Sequence, residues 1–178
     1  NLLTGGAIQR DGSRTPMQWS GAPHAGFTVP EAQPWMPVND DYPEVNRERQ
    51  EGSEHSLLAC YRRFLTARRR LPALRRGTLS LLHRKHLPKE VLGYLRRSEE
   101  ATLLVLLNFS GATRRFSLSQ PAVVLAGGGG GAGESSSGSL LLEAECSTHL
   151  AAERRCSTGD MLMLPWEGTV WKLRGVYE

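Results

Sequence analysis

Cysteine is scarce. The chain of 178 residues holds three, Cys60, Cys146 and Cys156. So small and odd a count excludes a disulfide-stapled framework and favours free thiols. Cys146 and Cys156 each open a Cys-Ser-Thr triplet, so the pair is expected to approach across a hairpin. There is no Cys-x-x-Cys and no pair of histidines at ligand spacing, so no metal site and no cofactor is expected. His83 and His86 flank Arg84-Lys85 and read as a polar turn. No run of about 18 apolar residues occurs, which excludes a membrane-spanning helix. A clustered basic stripe is also missing. The net charge of +4 comes from 22 basic and 18 acidic residues, and the arginines fall in pairs scattered over several elements. A nucleic-acid surface would need a stripe with stacking aromatics, so these pairs read as solvated faces. Asn108-Phe109-Ser110 matches a glycosylation sequon, but no secretory segment is visible. The sequon is therefore read as structural, and the compartment is left open with the cytoplasm favoured.

Regular periodicity is missing as well from residues 10–46. A structureless stretch of that length is either functional or disordered, and disordered segments are poor in aromatics. This one carries Trp19, Phe27, Trp35 and Tyr42, so an ordered loop is expected. At its head stands Arg10-Asp11-Gly12-Ser13-Arg14-Thr15-Pro16-Met17-Gln18-Trp19. A guanidinium is a rigid fork of donors that suits carboxylates and sugar hydroxyls alike. Arg10 and Arg14 share one side if the segment coils locally, and Asp11 can hold one of them by a charge-assisted bond. Thr15 is extended before Pro16. From the residues alone two readings stand: a salt-bridged loop under a domain edge, or a ligand contact. Trp19 and Trp35 read as loop anchors before sugar platforms.

Beyond the loop the pattern turns helical and then extended. Ser53 reads as an N-cap. Leu57, Leu58, Tyr61, Phe64 and Leu65 form one apolar stripe, giving a helix over 54–70 that Pro72 ends. Strands are expected at 78–82, 91–96, 102–109, 113–118, 122–125 and 140–144, with two more within 160–173. Residues 103–107 are apolar on both faces, which argues a central strand of a two-layer sandwich. Residues 127–138 form a Gly/Ser-rich flexible insertion, and 145–158 a variable loop. Trp166 and Trp171 are expected to pack in the core or at an edge.

The stretch Arg-Asp-Gly-Ser-Arg-Thr-Pro-Met-Gln-Trp, followed by Pro23-His24-Ala25-Gly26-Phe27-Thr28 and Pro34-Trp35-Met36-Pro37-Val38-Asn39, resembles the late part of the α-glucosidase and oligo-1,6-glucosidase group of the α-amylase superfamily, glycoside hydrolase family 13. Later segments agree in order and spacing, weakly at 119–160. The resemblance implies an α/β plus all-β chain. Residues 1–75 would be the last loop and helix of a (β/α)8 (TIM) barrel, and 76–178 a C-terminal antiparallel β-sandwich domain. The loop would lie on the catalytic face of the barrel, where Arg14, and after it Arg10, bind the terminal glucose. A barrel needs about 250 residues. The paired carboxylates of a retaining glycosidase have no counterpart here, so Asp11 and the acids at 40–51 are given no catalytic role. With no initiator Met before Asn1-Leu2-Leu3, the chain reads as a C-terminal fragment, inactive alone. Its expected partners are an oligosaccharide and the N-terminal barrel of the same protein. The implied activity of the parent is hydrolysis of terminal α-linked glucose from short oligosaccharides. The rivals are a trehalose synthase or sucrose isomerase of the same superfamily, and a non-catalytic barrel relative of the transporter heavy-subunit type.

Overall fold

The computed structural model describes residues 14–118, 140–149 and 155–176. The strand expected at 122–125 and the Gly/Ser-rich stretch at 127–138 lie outside them. The chain divides into two units, Asn1–Tyr61 and Arg62–Glu178. The described part of the first is a loop with one 3-10 turn, Pro23–Gly26, and a short helix, α1 (Arg47–Glu51). The boundary falls inside α2 (Leu57–Arg70), which α3 (Pro72–Arg76) follows.

Helix α2 starts three residues later than expected. The cap is Ser56, whose Oγ accepts from Ala59 N at 3.1 Å while its carbonyl accepts from Cys60 N. That is the N-cap arrangement. Ser53 serves the turn before it, where its carbonyl and that of Gln50 both accept from Ser56 Oγ at 2.7 Å. Pro72 ends α2 and also starts α3, at the first helical position where its missing N–H costs nothing.

The second unit is built on a six-stranded antiparallel sheet. Its strands are β1 (Thr78–Leu81), β2 (Val91–Arg97), β3 (Thr102–Asn108), β5 (Leu140–Ser147), β6 (Arg155–Ser157) and β8 (Gly168–Val176), in the order β1-β2-β3-β8-β5-β6. A two-stranded ribbon of β4 (Arg114–Phe116) and β7 (Met161–Met163) forms the second sheet. Strand β3 is central, and both of its faces are covered, which is why its hydrophobic pattern does not alternate. Leu103 and Val105 pack with Ala67, Leu71 and Ala73 of the helices. Leu104 and Leu106 pack with Leu118, Met161, Met163 and Trp171. Each large side chain buried in this way is worth roughly 1.5–3 kcal/mol.

Three expectations need correction. Residues 145–158 are not simply a loop: β5 runs through Ser147, and Arg155–Ser157 is a strand paired to it. The two cysteines do not face one another. Cys156 pairs with Leu142 across the hairpin, and an irregularity between Ala144 and Cys146 turns Cys146 to the helix side of the sheet. A one-residue slip reverses the face of every later side chain. The arginines, finally, are not all solvated. Arg96 donates to the carbonyls of Ala73 and Leu74 at 3.0 and 3.3 Å, Arg68 donates to Leu74 O at 2.7 Å, and Arg70 pairs with Glu145 of β5 at 2.5 Å. They satisfy carbonyls at the end of α3 and tie the helices to the sheet.

The sequon is structural. Asn108 is buried, and its amide nitrogen donates to the carbonyls of Ala112 and Leu164 at 2.9 and 2.8 Å. Trp171 is core, at 1% exposure, while Trp166 stands 66% exposed. Among the described residues no helix is long and apolar enough to cross a membrane, and no group of His, Cys, Asp and Glu is arranged to hold a metal ion.

Candidate functional site

The loop from Arg14 to Asn46 is ordered by polar tethers in place of a core. Gln18 is the first. Its amide donates to Asp41 Oδ1 at 2.9 Å and to Val45 O at 2.7 Å, and its carbonyl accepts from Arg47 N at 2.9 Å. Trp19 O accepts from Glu48 N at 3.0 Å. The start of the loop is thus laced to its end and to the first turn of α1. Asn46 closes the arrangement: it is buried, caps α1 by accepting from Arg49 N at 2.9 Å, and donates to Tyr42 O at 2.8 Å. Arg49 also pairs with Glu44, and Arg47 with Glu51.

A sharp reversal sits between the tethers. His24, Ala25 and Gly26 have φ of 54°, 57° and 64°, three successive left-handed residues of which only glycine adopts that region freely. Trp19 N and Ser20 N both donate to Ala25 O, at 2.9 and 3.1 Å, and Phe27 N donates to His24 O at 3.0 Å. The ring Nε2 of His24 lies 3.0 Å from Pro30 O. Ala25 is fully buried at the pivot.

Arg14 is exposed at the head of this frame. Pro16 is buried two residues on, so the chain is anchored just past the guanidinium. Arg10 and Asp11 lie outside the described residues, so the pairing of the two arginines and the bond from Asp11 stay expectations. Trp19 and Trp35 are 48% and 70% exposed, more than packed anchors would be. Sequence reasoning missed two residues that hold the loop. Asn46 carried a legible signal, since Asn before Arg-Glu-Arg-Gln is an N-cap pattern. Gln18 carried none, because its partners lie 23 and 27 residues away.

Residues 3–77 match the family model described as "Alpha amylase, catalytic domain". A probable oligo-1,6-glucosidase of Bacillus subtilis (strain 168) is 36% identical over 124 residues, 66% of this chain and 21% of that protein. An alpha-glucosidase of Candida albicans is 52% identical over 61 residues, 34% of this chain and 10% of that protein. Among solved structures, isomaltulose synthase from Klebsiella sp. LX3 superposes with a TM-score of 0.73 at 31% identity, covering 93% of this chain and 26% of that one. The chain spans about a fifth of the length of the first of these relatives. Through residues 3–77 the chain is similar to the alpha-amylase catalytic domain.

Proposed function

We propose that this chain is the carboxyl-terminal part of a retaining α-glucosidase that releases terminal α-linked glucose from short oligosaccharides. In this reading residues 1–75 complete a (β/α)8 barrel and 76–178 form a β-sandwich domain behind it. The nucleophile and the acid/base come from the rest of the enzyme. Arg14, with Arg10, grips hydroxyls of the terminal glucose. A guanidinium fork fixes the ring against the reacting carboxylates, and fixing geometry is where much of the rate arises. The observation that carries the reading is Arg14 held exposed on a tethered loop, inside the stretch matched by the catalytic-domain model. The names of the relatives point the same way. The exposed face of α2, with Leu57, Tyr61 and Leu65 at 66, 62 and 50% exposure, supports a barrel partner.

The test is hydrolysis of p-nitrophenyl α-glucoside, isomaltose and maltose by the whole protein that carries this chain, for wild type and Arg14→Ala. Wild type is expected to release glucose, and the variant to lose about 10²-fold in kcat/KM, the cost of a misplaced reacting centre. Unchanged activity in a folded variant returns Arg14 to a structural role. A second reading is favoured by the likeness to isomaltulose and trehalulose synthases: isomerisation of sucrose on the same frame. Sucrose as substrate separates the two, giving free glucose and fructose for a hydrolase and a rearranged disaccharide for an isomerase.

A further inference from the structure

We propose that a groove beside the loop reversal, with Trp35 on its wall, binds a sugar ring of an oligosaccharide at a position separate from the one assigned to Arg14. The carbohydrate class rests on the α-glucosidase reading; the site rests on its own geometry. The groove encloses about 510 Å³ and is lined by Pro23, His24, Gln33, Pro34, Trp35 and Tyr42 among others. That falls within the roughly 300–1,000 Å³ of small-molecule sites.

Trp35 is 70% exposed, the highest value among the large hydrophobic side chains of the described residues. Packing within the described residues does not account for an indole so presented. Pro34 precedes it and Pro37 follows two residues on. Fixed φ angles stiffen the backbone under the ring, which lowers the ordering cost of a ligand that stacks on it. The C–H face of a pyranose is apolar and its edge is polar, and an indole with hydrogen-bonding groups beside it meets both demands. Those groups are the Gln33 amide and the Tyr42 hydroxyl, which donate to and accept from hydroxyls, and the His24 imidazole, whose Nδ1 accepts.

The wall carrying His24 is also the strained one. Its φ of 54° and that of Ala25 lie in the left-handed region that side chains disfavour, and the tethers to Ala25 O hold them there. The reversal keeps the imidazole at the groove, with Nε2 directed to Pro30 O. Strain maintained beside a cavity is a mark of a binding site. A proline-rich peptide is the other ligand that aromatic grooves take, but such grooves are lined with several aromatics. Here the aromatics are Trp35 and Tyr42 alone, and Gln33 and His24 add polar groups to the lining.

The experiment uses fluorine NMR on the whole protein carrying this chain, labelled with fluorotryptophan, with the Trp35 resonance identified from Trp35→Phe. Maltotriose and isomaltotriose are titrated, and a proline-rich peptide serves as the rival probe. The Trp35 resonance is expected to shift saturably with at least one of the sugars. Trp35→Ala, which removes the reporter, is read by isothermal titration calorimetry and is expected to weaken sugar binding by roughly tenfold or more, the loss of a stacked aromatic anchor, and Arg14→Ala is expected to leave the Trp35 shift in place. A resonance that no sugar moves, or that moves only with the peptide, overturns the proposal. So does a shift abolished by Arg14→Ala, which would make the groove part of the terminal-glucose position. No hydrolysis of any α-glucoside by the wild-type protein, with the Trp35 shift intact, sinks the α-glucosidase reading and leaves the groove standing.

Discussion

Two tryptophans five positions apart do opposite things. Trp171 is buried, its ring N–H donating to Thr169 Oγ1 at 2.7 Å within the core of Leu104, Leu142 and Met163. Trp171→Ala is expected to cost about 3–5 kcal/mol, as for other large core truncations, read as a fall in the midpoint of urea unfolding. Trp166 follows Pro165 in a turn that Glu167 N closes onto Leu164 O at 3.2 Å, and its φ is 56°. A left-handed residue after a proline is the place where glycine is favoured. Its ring lies over Gly111, a contact that offsets part of the strain. Trp166→Gly is therefore expected to change stability by less than about 1 kcal/mol, and a loss near that of Trp171→Ala would refute this account. Asn108 is the third case. Besides donating to two carbonyls, it accepts from Ser110 N and Ser110 Oγ at 3.1 and 2.8 Å. Asn108→Ala would strand buried partners and is expected to cost about 1–3 kcal/mol. Mass spectrometry of the protein from a glycosylating host should find Asn108 bare. The sequon was legible as a motif, but what decides its fate is Leu164, 56 positions away, which no local pattern encodes.

Helices and strands were legible where local chemistry decides them. The apolar stripe of α2 and the hairpin of β2 and β3 follow from periodicity, and the central place of β3 follows from its loss of alternation. The start of α2 was displaced because two serines compete for one cap, and the winner depends on Gln50 and Ser53 carbonyls that turn back onto Ser56. Ser56→Ala is expected to cost about 1 kcal/mol, whereas Ser53→Ala should cost much less. Circular dichroism melts of the two variants decide which serine caps. Strand β6 was missed because three residues, Arg-Cys-Ser, carry no period, and its pairing with β5 defines it. An ion-pair cluster that joins β5 to β8 and to β6 is sensitive to acid. Glu143 on β5 accepts from Arg174 Nε at 2.8 Å, and Arg155 approaches at 3.7 Å. The bond and charge of Arg174, followed by the charges of Arg155 and Lys172, outweigh partial burial and hold the carboxyl below its ordinary 4.5. A carboxylate with a lowered folded pKa stabilises the fold above its unfolded value and loses that contribution as pH falls through the folded one. Wild type and Arg174→Gln should therefore differ at neutral pH and converge in acid. Denaturation curves across that range check the sign, and a gap that widens on acidification would refute it.

At the scale of the whole chain the question is what the exposed face of α2 is for. One flank of the helix is consumed: Phe64 and Ala67, with Leu71 just beyond its end, pack with residues of β3 and β8. The other flank presents Leu57, Tyr61 and Leu65 to water. One exposed apolar side chain needs no explanation, but Leu57, Tyr61 and Leu65 at helical spacing on one side do. In the proposed enzyme the rest of the barrel covers them. That assignment makes opposite forecasts for the chain and for the whole protein. Within the isolated chain, Leu57→Asp and Leu65→Asp touch side chains already half in water or more, so unfolding should shift by less than about 0.5 kcal/mol each and solubility should rise. Within the whole protein the same changes bury a carboxylate in place of a leucine. Each should cost at least the roughly 1.5–3 kcal/mol of the lost apolar burial, with the desolvated charge added. The midpoint of thermal inactivation reads the second case and urea unfolding of the chain the first. Equal, small effects in both settings would mean that this face meets solvent in the whole protein too, and the barrel reading of residues 1–75 would lose its main packing argument.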